Sequence, residues 1–189
     1  MSVTAVKKGL AYDHSMGFTP LEGAVMGTRC GDIDPAIIFH VMQKENLSPA
    51  QMEAVLNRKS GLLGITGKYV DRRNIIQAAK AGDARATLAI EIECHRLRKY
   101  IGAYSAAMGG VDAVAFTAGV GENSPLHRAK ICENLQFLGI ELDRKKNESA
   151  LGGVEAEVSA AHSRLKVFVI PTNEELIIAE DVLGLLEQG

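Results

Sequence analysis

Apolar residues change their spacing along this chain, and the changes divide it into predicted elements. Over residues 2–15 they alternate with polar ones, Val3, Ala5 and Val6 and then Leu10 and Tyr12, with Lys7-Lys8-Gly9 between. This predicts two short strands joined by a turn. Residues 16–32, MGFTPLEGAVMGTRCGD, mix glycines with small and apolar residues and predict a long ordered loop, a kind of segment that often carries function. The period then becomes helical. Asp34-Pro35 opens a stripe of Ile37, Ile38, Val41 and Met42. Ser48-Pro49 with Gln51 reads as a capping box before Met52 to Leu56, and Gly61 to Gly67 as a Gly-rich turn. Asp71 is placed to cap a helix running to about Ala81. Leu88, Ile92, Leu97, Ile101 and Tyr104 recur at helical spacing from near Asp83 to Met108 and predict the spine of the domain.

The last third reads differently. Ala113 to Phe116 is a short, wholly apolar run, suited to a strand covered on both faces. It leads into the Gly-rich segment Gly119-Val120-Gly121-Glu122-Asn123, and Ser124-Pro125 then opens a helix to about Phe137. A second buried strand, Leu165 to Ile170, ends in Pro171-Thr172-Asn173 and precedes a terminal helix through Leu186. Strand, polar loop and helix, twice over, predict an α/β sheet with a ligand site at the strand C-termini. Within FTAGVGENSP, residues 116–125, the glycines would allow close main-chain approach to an anion such as a nucleotide phosphate. The same residues also suit a bare tight turn.

Composition agrees with a globular chain: of 189 residues, 47% are hydrophobic and 23% charged. A net charge of −2 leaves no electrostatic footprint for nucleic acid or an anionic membrane. Cys30, Cys94 and Cys132 are widely spaced and read as reduced thiols. The opening MSVTAVKKGLAY lacks a long apolar run, so a cytoplasmic protein is expected. His14, His40, His95, His127 and His162 are scattered and read as surface or capped histidines, not metal ligands.

Three strings in order, MGFTPLEGAVMGTRCGDIDP at 16–35, FTAGVGENS at 116–124 and PTNEEL at 171–176, closely resemble the acetate kinase family. The resemblance covers essentially the whole chain but only the C-terminal half of the family's usual length. It implies a helix-rich α/β, ribonuclease H-like domain of the acetate and sugar kinase, Hsp70 and actin type, with an incomplete N-terminal side. Residues 1–173 would form the nucleotide-binding domain, and 174–189 a helix that in the family packs on the N-terminal domain. The implied reaction is reversible phosphoryl transfer between ATP and acetate, giving ADP and acetyl phosphate.

By the same resemblance Arg29 would stabilise the transferring phosphoryl group, and Pro20 would form one wall of the acetate pocket. Asp71 and Arg73 fall where the family contacts adenosine, although Arg72 stands where relatives usually carry an apolar or aromatic residue; Asp71 reads equally as a helix cap. Gly119, Val120, Gly121 and Asn123 would meet the ADP phosphates and base. Glu174 matches the acid associated with Mg²⁺, a hard ion that prefers oxygen ligands, with Glu175 an equal claimant. The family also implies a homodimer.

A second phosphate loop, His-Leu-Gly-Asn-Gly, and the family's N-terminal domain have no counterpart among these residues, so the isolated chain is expected to be inactive, with an exposed sheet edge and an underburied terminal helix. The alternatives are a propionate kinase fragment, or a non-catalytic module for ADP binding or dimerisation.

Overall fold

The computed structural model describes residues 1–187, with the side chain of Glu174 outside the described residues. The chain divides into two compact units, Met1–Gly110 and Val111–Gly189.

In the first unit the predicted turn forms because Lys8 (φ 55°) and Gly9 (φ 79°) both take the left-handed conformation a two-residue hairpin loop requires. It joins β1 (Thr4–Lys7) to the antiparallel β2 (Leu10–His14). A lone hairpin is marginal. This one is fastened to the end of a long helix, where Lys7 Nζ donates to the Met108 carbonyl at 2.8 Å and the Tyr12 hydroxyl to the Ala107 carbonyl at 3.3 Å.

Five helices follow: α1 (Ala36–Glu45), α2 (Pro49–Arg58), α3 (Gly61–Thr66), α4 (Arg72–Lys80) and α5 (Ala84–Met108). α2 and α4 start where their capping residues predict, whereas at α1 Pro35, expected at the first helical position, precedes the first helical residue. Ser48 and Gln51 form the reciprocal capping box, Asp71 accepts from the Arg73 amide, and Asp83 from the Arg85 and Ala86 amides. α3 and α4 pack on α5, and Leu62, Ile75, Ala86, Ala89, Ile90, Cys94 and Leu97 form the core. Of the predicted α5 stripe Leu97 and Tyr104 are buried but Leu88 is exposed, because small residues, Ala86 and Ala89, take the closest face.

The Gly61–Gly67 segment is a helix, α3, and not the turn its glycines predict. Gly61 supplies the entry at φ +62°, and the first amides of α3 find acceptors in the preceding loop, Leu62 N–H on the Met26 carbonyl at 2.9 Å and Leu63 N–H on the Gly27 carbonyl at 2.8 Å.

The second unit comprises β3 (Ala113–Phe116), α6 (Ala118–Asn123), α7 (Pro125–Cys132), a 3₁₀ turn at Gln136–Leu138, α8 (Arg144–Ser149), β4 (Ala156–Glu157), β5 (Lys166–Val169) and α9 (Glu174–Glu187). The sheet order is β3-β5-β4, with β3 parallel to β5 and β4 antiparallel to it. Val158, Val167, Val169, Ile140, Ile131 and Leu135 make its core.

Three expectations need correction. β3 is not covered on both faces: Ala113 and Ala115, which share one face, are exposed, while on the other face Val114 is half-buried and Phe116 buried. The helix opened by Ser124-Pro125 stops at Cys132, where the chain turns through Asn134 at φ 63° before the 3₁₀ turn. The Gly-rich segment after β3 is a short helix, α6, and not a loop. The terminal helix agrees with its expected state, with Leu176, Ile177, Val182 and Leu185 exposed. The helix-rich α/β class stands. Among the described residues no helix is long and apolar enough to cross a membrane.

Candidate functional site

The first unit holds four of the sequence-predicted residues. Arg29 is half-buried in a loop whose backbone is fixed on several sides. The Met26 amide donates to the Arg29 carbonyl at 3.2 Å, the Cys30 amide to the Leu56 carbonyl at 3.0 Å and the Ser60 amide to the Thr28 carbonyl at 3.0 Å. The Thr28 hydroxyl adds a bond of 2.8 Å to the Asn57 carbonyl. Its guanidinium reaches only the Met26 sulfur, at 3.6 Å, and among the described residues has no carboxylate partner. Arg29 lines a cavity of about 680 Å³ together with Thr28, Glu53, Asn57 and Arg58. An arginine placed in this way is free to take an anion, and its planar fork matches two oxygens at once.

Gly61 sets how closely this loop meets α3. A Cβ there would lie 2.2 Å from the Met26 carbonyl oxygen and 2.6 Å from that of Arg29. Gly61→Ala is therefore expected to lower stability by about 1–3 kcal/mol, read as a lower urea midpoint; an unchanged midpoint would show that the Arg29 loop yields freely.

Pro20 is exposed. Asp71 accepts the Arg73 amide at 2.8 Å and pairs with the Arg73 guanidinium, Nε to Oδ1 at 3.1 Å. The cap reading of Asp71 is thus realised, and its carboxylate and Arg73 engage each other. Arg72, the departure from the family pattern, points to α5, where its Nε donates to both oxygens of Glu93 at 2.9 and 3.2 Å. Glu93 is 1% exposed, so Arg72 partners a buried carboxylate.

Hydrogen bonding to Arg73 holds the Asp71 carboxyl down to about 2, from an ordinary 3.8. A carboxylate depressed in the folded state adds stability above its unfolded value and loses it as the pH falls through the folded one. Amides in the first turn of α4 are therefore expected to exchange faster, relative to the intrinsic rate, as the pH drops from about 4 to about 2. Asp71→Asn should abolish that pH dependence; persistence would assign it to another group.

The second unit holds the others. Gly119, Val120, Gly121 and Asn123 lie together on α6. The left-handed residue here is Ala118 (φ 57°), and neither Gly119 nor Gly121 has a positive φ. What the glycines provide is space: a Cβ on Gly121 would come within 3.1 Å of the Phe116 backbone, while Gly119 has nothing within 4 Å. Asn123 spans two segments, donating to the Gly119 carbonyl at 3.1 Å and accepting from the Gly152 amide at 3.3 Å.

Sequence reasoning missed two residues that hold this segment. Glu122 accepts from the Thr172 amide at 3.0 Å and from its hydroxyl at 3.2 Å, so the segments that follow β3 and β5 are tied together. Arg128, fully buried, donates to the carbonyls of Gly121 (2.7 Å) and Glu122 (2.9 Å) from α7. Nothing in the local pattern PLHRAKIC marks that role. His127, expected at the surface or capped, is buried, with Nδ1 2.7 Å from the Ser124 hydroxyl. The side chain of Glu174, the metal candidate, lies outside the described residues.

A helix-rich α/β chain of this form is shared with solved kinases. The acetate kinase of Porphyromonas gingivalis superposes with a TM-score of 0.92 at 46% identity, over 98% of this chain and 46% of that one. A propionate kinase from Francisella tularensis gives 0.87 at 43% identity, over 94% of this chain and 45% of that one. The family model for the acetokinase family matches residues 1–180, and the chain belongs to that family. The acetate kinase of Thermotoga maritima is 55% identical over 188 residues, which are 99% of this chain and 47% of the relative. The chain spans about half the length of the curated relatives it matches.

Proposed function

We propose that this chain is the C-terminal half of an acetate kinase, which moves the terminal phosphoryl group of ATP to a carboxylate oxygen of acetate and back. The bond from that phosphorus to the ADP oxygen breaks as the bond to the acetate oxygen forms. Such transfer asks the protein for alignment and charge compensation more than for covalent chemistry. The observation that carries the reading is Arg29, half-exposed, held by its backbone and without a carboxylate partner among the described residues. In this role its fork spans two oxygens of the phosphoryl group in flight.

Gly119, Val120, Gly121 and Asn123 take the ADP phosphates and base, the open space beside Gly119 supporting close main-chain approach. Asp71 and Arg73 lie toward adenosine, and Pro20 toward the acyl group. A carboxylate of this chain would hold Mg²⁺, which would supply charge neutralisation to the transferring group. Glu174 supplies the oxygen chemistry that ion prefers, as does Glu175.

The partners proposed are ATP or ADP, a short-chain carboxylate, the family's N-terminal domain, and a second copy in a homodimer; none is a nucleic acid or a membrane. The exposed apolar residues of α9 and the open edge of β3 support the N-terminal domain, and α1, which buries none of its residues, supports the homodimer. The compartment proposed is the cytoplasm. A propionate-directed reading is favoured by the Francisella tularensis kinase, and one methylene is worth only about 1–3 kcal/mol in an apolar pocket.

The test is trapping of acyl phosphate as hydroxamate. It compares the isolated chain with a chimaera that joins it to the N-terminal half of the Thermotoga maritima relative, supplied with acetate or propionate. The chimaera is expected to be active and the chain alone inactive. A folded but inactive chimaera would overturn the kinase reading, and turnover by the chain alone would overturn the need for a second half.

A further inference from the structure

The loop that carries Arg29 is closed at its base by one side chain. Gly23 N–H donates to Asp32 Oδ1 at 2.9 Å, and Asp32 N–H donates back to the Gly23 carbonyl at 2.9 Å. The other carboxylate oxygen, Oδ2, accepts the Tyr100 hydroxyl at 2.6 Å, with Arg96 Nη1 3.4 Å away. Arg96 Nη2 donates in addition to the Asp32 carbonyl at 3.3 Å. Arg96 and Tyr100 lie four residues apart on α5, so both reach the same point from one face of a rigid helix. A single carboxylate thus joins the two ends of the loop to each other and to the spine of the unit.

The loop base has little freedom to shift. A Cβ on Gly23 would lie 2.2 Å from the Ser15 carbonyl oxygen, and one on Gly31 2.6 Å from that of Gly23. Ser15 is itself 3% exposed and accepts the Val3 amide at 2.8 Å. Burial, and after it the bond to Asp32, raises the Tyr100 hydroxyl above its ordinary value, so it remains a donor at neutral pH. Arg29 has no comparable fastening at its own tip, where a sulfur at 3.6 Å is a weak acceptor. Where the guanidinium goes is therefore set by where its backbone is held.

We propose that Asp32, by bridging Gly23 to Tyr100 and Arg96, is a positioning residue that aims Arg29 at the transferring phosphoryl group. The proposal rests on the reading of Arg29 given above. Its physical basis is the steep dependence of phosphoryl transfer on placement, where a displacement of about 1 Å costs on the order of a hundredfold in rate.

Two experiments test it. In the first, which needs no catalysis, amide exchange is compared in the 189-residue chain and its Asp32→Ala and Tyr100→Phe variants. Residues 24–31 are expected to exchange at least tenfold faster in both variants, with α5 unchanged. Tyr100→Phe keeps the ring beside Tyr104 and removes one hydroxyl, so it reports on the bridge even where Asp32→Ala fails to fold. In the second, the same substitutions enter the chimaera. There kcat is expected to fall at least tenfold while KM for ADP stays within twofold, a split that general destabilisation would not produce.

Unchanged exchange over 24–31, exchange that rises equally along α5, or unchanged kcat with a loosened loop would each overturn the proposal. Arg29→Ala in the chimaera separates it from the reading beneath it. If that variant keeps full kcat, the role of Arg29 fails, and with it the catalytic part of the proposal, whatever the exchange shows.

Discussion

Arg29→Ala, placed in the chimaera with a complete cleft, is expected to lower kcat by on the order of 10³-fold, the scale at which an arginine acts on phosphoryl transfer. Nothing in the first unit would replace it. Arg58 lines the same cavity but extends from the end of α2 and not from the loop that carries Arg29. Loss of Arg29 should leave the fold intact, because among the described residues its guanidinium bonds only to the Met26 sulfur while the loop is held by main-chain bonds. The urea midpoint is therefore expected to move by less than about 0.5 kcal/mol in stability, the range of surface substitutions. Arg29→Lys restores the charge without the planar fork and should recover only a part of the rate. Hydroxamate trapping at saturating ATP and acetate gives the measurement. A fall of less than tenfold in a folded Arg29→Ala chimaera would remove Arg29 from the reaction.

How far such residues could be read in advance depended on whether their partners are near in sequence. The Lys8-Gly9 turn, the Ser48 and Gln51 box and the cap at Asp71 each act within four residues of themselves, and each forms where the pattern places it. The same is true of α5, whose length follows from a sustained period. α3 was hidden because its glycines suggest a turn, while the amides at its start are satisfied by carbonyls more than thirty residues upstream, on Met26 and Gly27. β3 was read as covered because a wholly apolar run does not say which of its sides has a neighbour.

Among the candidate residues, Arg29 in the first unit and the α6 glycines in the second lie in recognisable strings, so they were singled out. Glu122, Arg128 and Tyr100 were not, since their roles exist only once Thr172, Asn147 and Asp32 have been brought beside them by the fold. The Arg72 departure was visible in sequence, but its cause, the buried Glu93 on α5, was not.

Arg128→Met is the substitution expected to have the largest effect on stability. All five N–H donors of this guanidinium are used: Nε on Asn147 Oδ1 at 2.7 Å, Nη1 on the carbonyls of Gly121 and Glu122, and Nη2 on the carbonyls of Asn147 (2.6 Å) and Ala150 (2.8 Å). Burial lowers its pKa from the ordinary value, yet an arginine stays protonated at neutral pH, so the cation is stabilised in place by carbonyl dipoles. Methionine fills a similar volume but leaves these acceptors without donors, at a cost of about 1–3 kcal/mol for each that stays buried and dry. Local rearrangement will admit water to some of them, so a loss on the order of 3–5 kcal/mol is expected, a large share of a domain's stability. Arg128→Lys, with three donors on a point charge, should fall between. Because the chain divides into two compact units, the proper readout is amide exchange in α6 and α7 beside α5 as an internal reference. Protection should collapse in α6 and α7 while α5 keeps it. The bond from Arg128 Nε to Asn147 Oδ1 can be isolated by combining Arg128→Met with Asn147→Ala, whose effects should fall well short of adding because both remove the same contact. If Arg128→Met lowers protection in α6 by less than tenfold, the segment proposed to meet the nucleotide is held by Glu122 and Asn123 and not from below by Arg128.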